Sequence, residues 1–262
     1  SNFNIFDFIH RIFCYNSTMK RFCIFLITGT VVIFLFLILA ILFKGIGLYI
    51  AMAVIATIFL ILSSIILYGV LKLRKCNFYL QNYDVEPIIK SYKFLSKILF
   101  SKDDINELYL YMSMVYSLKN DSKSAKIFLD STSRHSMKTS RMLYLYYCAY
   151  RLYYICLNDV DNYNIIANEF FSLSENLDKT IANEFLLGTE MINLSNLIYK
   201  KVRIEDIKDN LDFSSEKPLL IDEFYNCFLE MIKINDYQDF TEKSFKVPLV
   251  QSLYKKCLDN FN

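Results

Sequence analysis

The stretch that decides the architecture is residues 22–71, FCIFLITGTVVIFLFLILAILFKGIGLYIAMAVIATIFLILSSIILYGVL. Phe22 to Phe43 is a run of 22 residues without a formal charge. Lys44 interrupts, and Gly45 to Leu71 adds 27 more. A helix needs about 20 apolar residues to cross a hydrocarbon layer of about 30 Å. At about 1.5 Å per residue both runs reach that far. Val31 to Leu42 and Ile58 to Leu67 are apolar all round, a pattern suited to lipid rather than to the edge of a soluble core. The connection Lys44-Gly45-Ile46-Gly47 is short, so the reading is a two-helix transmembrane hairpin over residues 22–75.

The flanks orient it. Lys20 and Arg21 precede the first run, and Lys72, Arg74 and Lys75 follow the second, while the turn carries Lys44 alone. Cytosolic loops are enriched in Lys and Arg, which places both termini in the cytosol of a plasma or inner membrane. A signal peptide is the competing reading of the first run; that run is too long, and no A-x-A-like site follows it. Neither run contains Asp, Glu, His or Arg, so the default marker of an ion path or proton relay is missing. Thr28, Thr30, Thr57, Ser63 and Ser64 can bond their own helix backbone. Gly47 and Ala51 form a small-xxx-small pair that would let helices approach closely, the candidate transmembrane packing site. Before the spans, residues 1–21 crowd Phe and Ile around Asp7, His10 and Arg11, an expected interfacial segment.

Composition narrows the rest. The chain has 262 residues, five Gly, three Pro and no Trp, with 54% hydrophobic and 21% charged residues. That excludes collagen-like, disordered and disulfide-knot proteins. The net charge of +2 conceals a division. Residues 1–75 hold seven basic residues against Asp7, and the remainder is four charges negative. Neither part is basic enough for a nucleic-acid binder.

From Cys76 the charges return and apolar residues recur at three- and four-residue spacing. Helices are expected over 88–99, 108–118, 125–129, 142–157, 165–177, 181–199, 219–234 and 249–261. Shorter pieces are expected near 204–210 and 237–245. No two-residue alternation or Asn-Gly hairpin signal appears. Residues 76–262 therefore read as an all-α cytosolic domain of antiparallel helix pairs.

Tyr109-x-x-Met112-Ser113-x-x-Tyr116, then Asn120 and Ala125-x-x-x-Leu129 with Thr132 beyond, resembles a tetratricopeptide repeat over residues 105–138. Ser113 and Ala125 take that family's small positions, and Tyr109, Met112, Tyr116 and Leu129 the large ones. Tyr109 replaces Trp, Ser113 replaces Gly, and the closing Pro is absent. One repeat onward Tyr150 matches, whereas Tyr147 is bulky for its position and Asp159 stands where Ala is usual. The resemblance implies a solenoid that binds a protein on its concave face; an unrelated helical bundle is the alternative. Tyr146, Tyr147, Tyr150, Tyr153 and Tyr154 are then the candidate partner-binding residues, since tyrosine offers large contact area with a polar tip. Core packing is the other reading of the same residues.

Chemistry is sparse. The seven cysteines include no C-x-x-C, and no Cys/His cluster suggests a metal site. His10 and His135 are the only histidines. Glu184 with Glu190, or Glu223 with Glu230, could share a helix side, as solvated faces commonly do. Lys200-Lys201-Val202-Arg203 reads as a surface patch. The expectation is a non-enzymatic protein without metal or cofactor. It would be a membrane-anchored helical scaffold that recruits a cytosolic protein. The alternative is an accessory, regulatory or immunity-type subunit of a larger membrane complex, contacted through the hairpin.

Overall fold

The computed structural model describes residues 26–35, 38, 46–98, 102–132, 134, 137, 140–174, 219–235 and 243–259. Among these, every regular element is helical and no strand occurs. The helices are α1 (Leu26–Leu35), α2 (Ile46–Gln81), α3 (Glu86–Ile98), α4 (Lys102–Leu118), α5 (Ser122–Asp130), α6 (Ser140–Leu157), α7 (Val160–Ser174), α8 (Leu219–Asn235) and α9 (Pro248–Asp259). The expectations for residues 1–21, Lys44, Gly45, His135, Glu184, Glu190, 181–199, 200–203 and 204–210 lie outside the described residues. The chain divides into two units, Ser1–Lys75 with Lys93–Ile105, and Cys76–Tyr92 with Asn106–Asn262.

The first unit is built on α2, which has no proline and a run of Ile, Leu, Ala and Val. Tyr49–Gln81 is long and apolar enough to cross a membrane, by length and composition. Only 11% of its most apolar window is buried inside the protein. Ile50, Ile58, Leu60 and Ile61 are all more than half exposed. A soluble core helix would bury that surface. It is the one such helix among the described residues; α1 is shorter, at ten residues. Three hydroxyls of the apolar stretches are satisfied by their own helix, whereas the buried Ser63 hydroxyl has no hydrogen-bond partner, contrary to the expectation for it. Thr30 donates to the Leu26 carbonyl, Thr57 to Ala53 and Ser64 to Leu60, each at 2.8 Å.

Close approach of α1 to α2 occurs at Gly29. A Cβ there would fall within the Phe59 ring, so a larger residue would require that ring to move. Gly47 and Ala51 are both exposed, and nothing lies within 4 Å of a Cβ added at Gly47. At Gly29, rather than at Gly47, a bulky ring meets a bare helix backbone.

The second unit is a series of helical hairpins. Three helices end in the same way. Tyr83, Asn120 and Asn158 have φ of 50°, 60° and 61°. The following N–H of Asp84, Asp121 and Asp159 reaches back to the carbonyls of Tyr79, Tyr116 and Tyr154 at 2.8–2.9 Å. This is the Schellman arrangement, which satisfies carbonyls left over at a helix end. At two of the turns the aspartate then caps the next helix, Asp121 accepting from the Ser124 N–H at 3.0 Å and Asp159 from the Asn162 N–H at 3.1 Å. Two of the three reversals are thus written into Asn-Asp pairs.

Packing follows the reversals. Phe128 of α5 stacks on Tyr116 of α4 at 5.6 Å and meets Tyr92 of α3 edge-on at 5.4 Å. Ser113 and Ala125 are fully buried between bulky neighbours, and Met112 and Leu129 are 1% exposed. α6 lies antiparallel to α7, with Tyr144 and Tyr147 near Phe170 and Arg151 at Tyr163. α8 packs on α9. There Glu223 Oε2 accepts from the N–H groups of Lys246 and Val247 at 2.7 and 3.2 Å, just ahead of Pro248 in the first turn. A carboxylate from a neighbouring helix thus serves the N-terminus of α9, where a proline costs no hydrogen bond. Each fully buried Leu, Ile or Phe of this core contributes about 1.5–3 kcal/mol.

Candidate functional site

α6 carries six tyrosines in eleven residues, and the fold sorts them into two sets. Tyr144, Tyr147 and Tyr153 are buried, at 5%, 1% and 8% exposure. Tyr146, Tyr150 and Tyr154 are half-buried and form a ladder along one side. Their ring centroids are 4.5 Å apart from Tyr146 to Tyr150 and 6.0 Å from Tyr150 to Tyr154. Residues four apart meet on a helix, which explains the stacking. Of the five candidate partner-binding residues, these three present ring surface together. Tyr147 and Tyr153 are turned to packing, although Tyr153 still touches Tyr154 at 5.5 Å.

The Tyr150 and Tyr154 hydroxyls are both held above the ordinary phenol range. Burial raises Tyr150, and the neighbouring Tyr146 hydroxyl and Asp130 of α5 raise it further. Burial and then Asp159 raise Tyr154. Lys126 and Asp130 of α5 pair at 3.4 Å in solvent close by, since both bear on the Tyr153 hydroxyl. The result is an aromatic strip with polar tips beside mixed charge. Such a strip can hold a protein surface by apolar area and hydrogen bonds together.

Behind the ladder, the buried tyrosines hold α6 in place. Tyr147 donates to Glu169 Oε2 at 3.1 Å. The same carboxylate pairs with Arg134 at 3.0 Å, and that guanidinium lies over the Tyr147 ring at 5.7 Å. Arg151, 2% exposed, donates to Tyr163 Oη at 3.0 Å and sits against the rings of Tyr163 and Phe170. Arg141 donates to Glu107 Oε1 at 2.7 Å and to the Tyr111 hydroxyl at 3.4 Å, tying α6 to α4. The Cys148 thiol in this interior is pushed up to about 11 by burial, which leaves it protonated and unreactive.

The sequence did not single out Arg151, Arg141 or Arg134. Each is a lone cation in a polar or tyrosine-rich context. The signal that could have found Arg151 is its i+4 position after Tyr147, inside the buried stripe of α6. Glu223 and Glu230, read from spacing as a shared solvated side, have structural partners. Glu230 is 1% exposed and pairs with Lys243 at 2.6 Å. Among the described residues no three His, Cys, Asp or Glu side chains come together as metal ligands. No protein family model, curated protein or solved structure matches the chain.

Proposed function

We propose that the chain is a membrane-anchored helical scaffold, spanning the bilayer twice as a hairpin with both termini cytosolic, that recruits a cytosolic protein. The observation that carries this reading is the coexistence of two features. One is an apolar helix long enough to span, with its surface exposed. The other is a run of helical hairpins that leaves the Tyr146, Tyr150 and Tyr154 rings half-exposed. The basic flanks Lys20, Arg21, Lys72, Arg74 and Lys75 favour the cytosolic placement. The hairpin turns at Tyr83, Asn120 and Asn158 recur at 37 and 38 residues, near the spacing of helical-hairpin repeats. With Ser113 and Ala125 in the small positions, that recurrence supports a tetratricopeptide-like solenoid. The ladder is the surface assigned to the partner.

A specific observation favours a second reading. Gly47 and Ala51 leave an open small-residue face on α2, suited to close packing by another membrane helix. An accessory, regulatory or immunity-type subunit would use that face. A photo-crosslinking amino acid placed in the full chain at position 150 or position 47 separates the two. The scaffold predicts that position 150 captures a discrete soluble protein, and that serine at Tyr146 and Tyr154 abolishes the product. Capture of a membrane protein from position 47 alone overturns the scaffold in favour of the subunit.

A further inference from the structure

The apolar run of α2 ends at Leu71, and Lys72 is its first charge. The second half of α3, from Lys93, is seated on α2 at this level. Gly69 makes the room, since a Cβ there would lie 2.5 Å from Ile98 Cδ1 and 3.9 Å from Leu95 Cδ2. Tyr68 and Phe94 meet edge to face at 5.7 Å, and Lys72 Nζ lies 5.3 and 5.6 Å from their centroids. Both rings remain exposed, at 53% and 39%, as does Leu71 at 45%. Lys93 and Lys97 are exposed one helical turn apart, both neighbouring Phe94 on the surface of α3.

Two exposed rings with Lys72 against them, and two further exposed lysines on the adjoining turn of α3, suit a headgroup layer at the end of an apolar helix. Aromatic rings prefer that layer, and lysine stems lie along apolar surface while their ammonium groups reach outward. We propose that Lys72, Lys93 and Lys97, with Tyr68 and Phe94, form a docking surface for the headgroups of anionic phospholipids. This rests on the reading of α2 as a membrane span. The phosphate and any further anionic group of the lipid meet the three ammonium groups, while the rings settle among glycerol and upper acyl carbons. The seated half of α3 would lie at the bilayer surface.

The absence of tryptophan makes the test direct, because any introduced indole is a unique probe. The full chain carrying Phe94→Trp is reconstituted into vesicles of phosphatidylcholine and phosphatidylglycerol, with brominated acyl chains on one lipid or the other. The indole is expected to be quenched more strongly by brominated phosphatidylglycerol, and Lys93→Gln with Lys97→Gln to reduce that preference by about fivefold or more, the effect of one lysine near an anionic surface. Tyr68→Trp reads the same surface from α2 and is expected to agree. Equal quenching by both lipids at both probes overturns the proposal. Ile58→Trp, in the middle of the apolar run, separates the two levels of failure. Quenching there without lipid preference at positions 68 and 94 overturns the headgroup surface alone. No quenching at position 58 overturns the span and the surface together.

Discussion

Asp121 shows how a single side chain ends one helix and begins another. Its N–H closes α4 by bonding the Tyr116 carbonyl at 2.9 Å, and its carboxylate receives the Ser124 N–H at 3.0 Å. Hydrogen bonds from the Ser124 side chain and backbone hold the carboxyl below the usual carboxylate range. Because the folded value is lowered, the cap contributes fully above the ordinary carboxyl pKa and is lost as pH falls through the lowered one. Asp121→Ala should cost about 0.5–1 kcal/mol at neutral pH, the lower range for an N-cap, given its exposure to solvent. The difference from the parent should vanish in strongly acidic solution. Thermal unfolding followed by circular dichroism at several pH values checks both; a pH-independent difference would exclude the carboxylate as the cause. Arg151 makes the opposite point. Burying a cation is expensive, and its guanidinium is held against two aromatic faces and a tyrosine hydroxyl, which recover part of that cost.

At the scale of elements, the recurring device is the helix ended by a left-handed residue and restarted by aspartate. Asn tolerates positive φ because its short polar side chain bonds locally, whereas a β-branched residue clashes. Asn158 sits at φ 61° in the turn from α6 to α7. Asn158→Gly should therefore be neutral or slightly stabilising, and Asn158→Val should destabilise by about 1–2 kcal/mol. Urea unfolding midpoints of the two variants measure the contrast; equal midpoints would mean that the turn is not under conformational strain. Such turns were legible in the sequence as Asn-Asp pairs at 120 and 158. Tyr83 was not, because nothing in a tyrosine announces a left-handed backbone.

For the whole molecule, the decisive property is the exposed apolar length of α2. Tyr49–Gln81 extends about 50 Å at about 1.5 Å per residue, more than a hydrocarbon layer. The full chain expressed in cells should stay with the membrane fraction through an alkaline carbonate wash and leave it only in detergent. Release by carbonate would mean that α2 is covered by protein rather than by lipid.

Sequence alone determined the helical class, because three- and four-residue periodicity and the lack of alternating or hairpin signals act over short distances. It likewise determined α2, since an uncharged run needs no tertiary partner to be read. The tertiary structure decided which glycine meets a ring inside the chain and which tyrosines keep exposed surface. Gly29, not Gly47, receives a bulky ring, because that depends on where Phe59 falls on a neighbouring helix. Tyr146, Tyr150 and Tyr154 stand half-exposed while Tyr147 and Tyr153 are buried, because the packing of α5 and α7 against α6 sets which arc of the helix is covered. Periodicity states that a side chain shares a face; it does not state what the face meets.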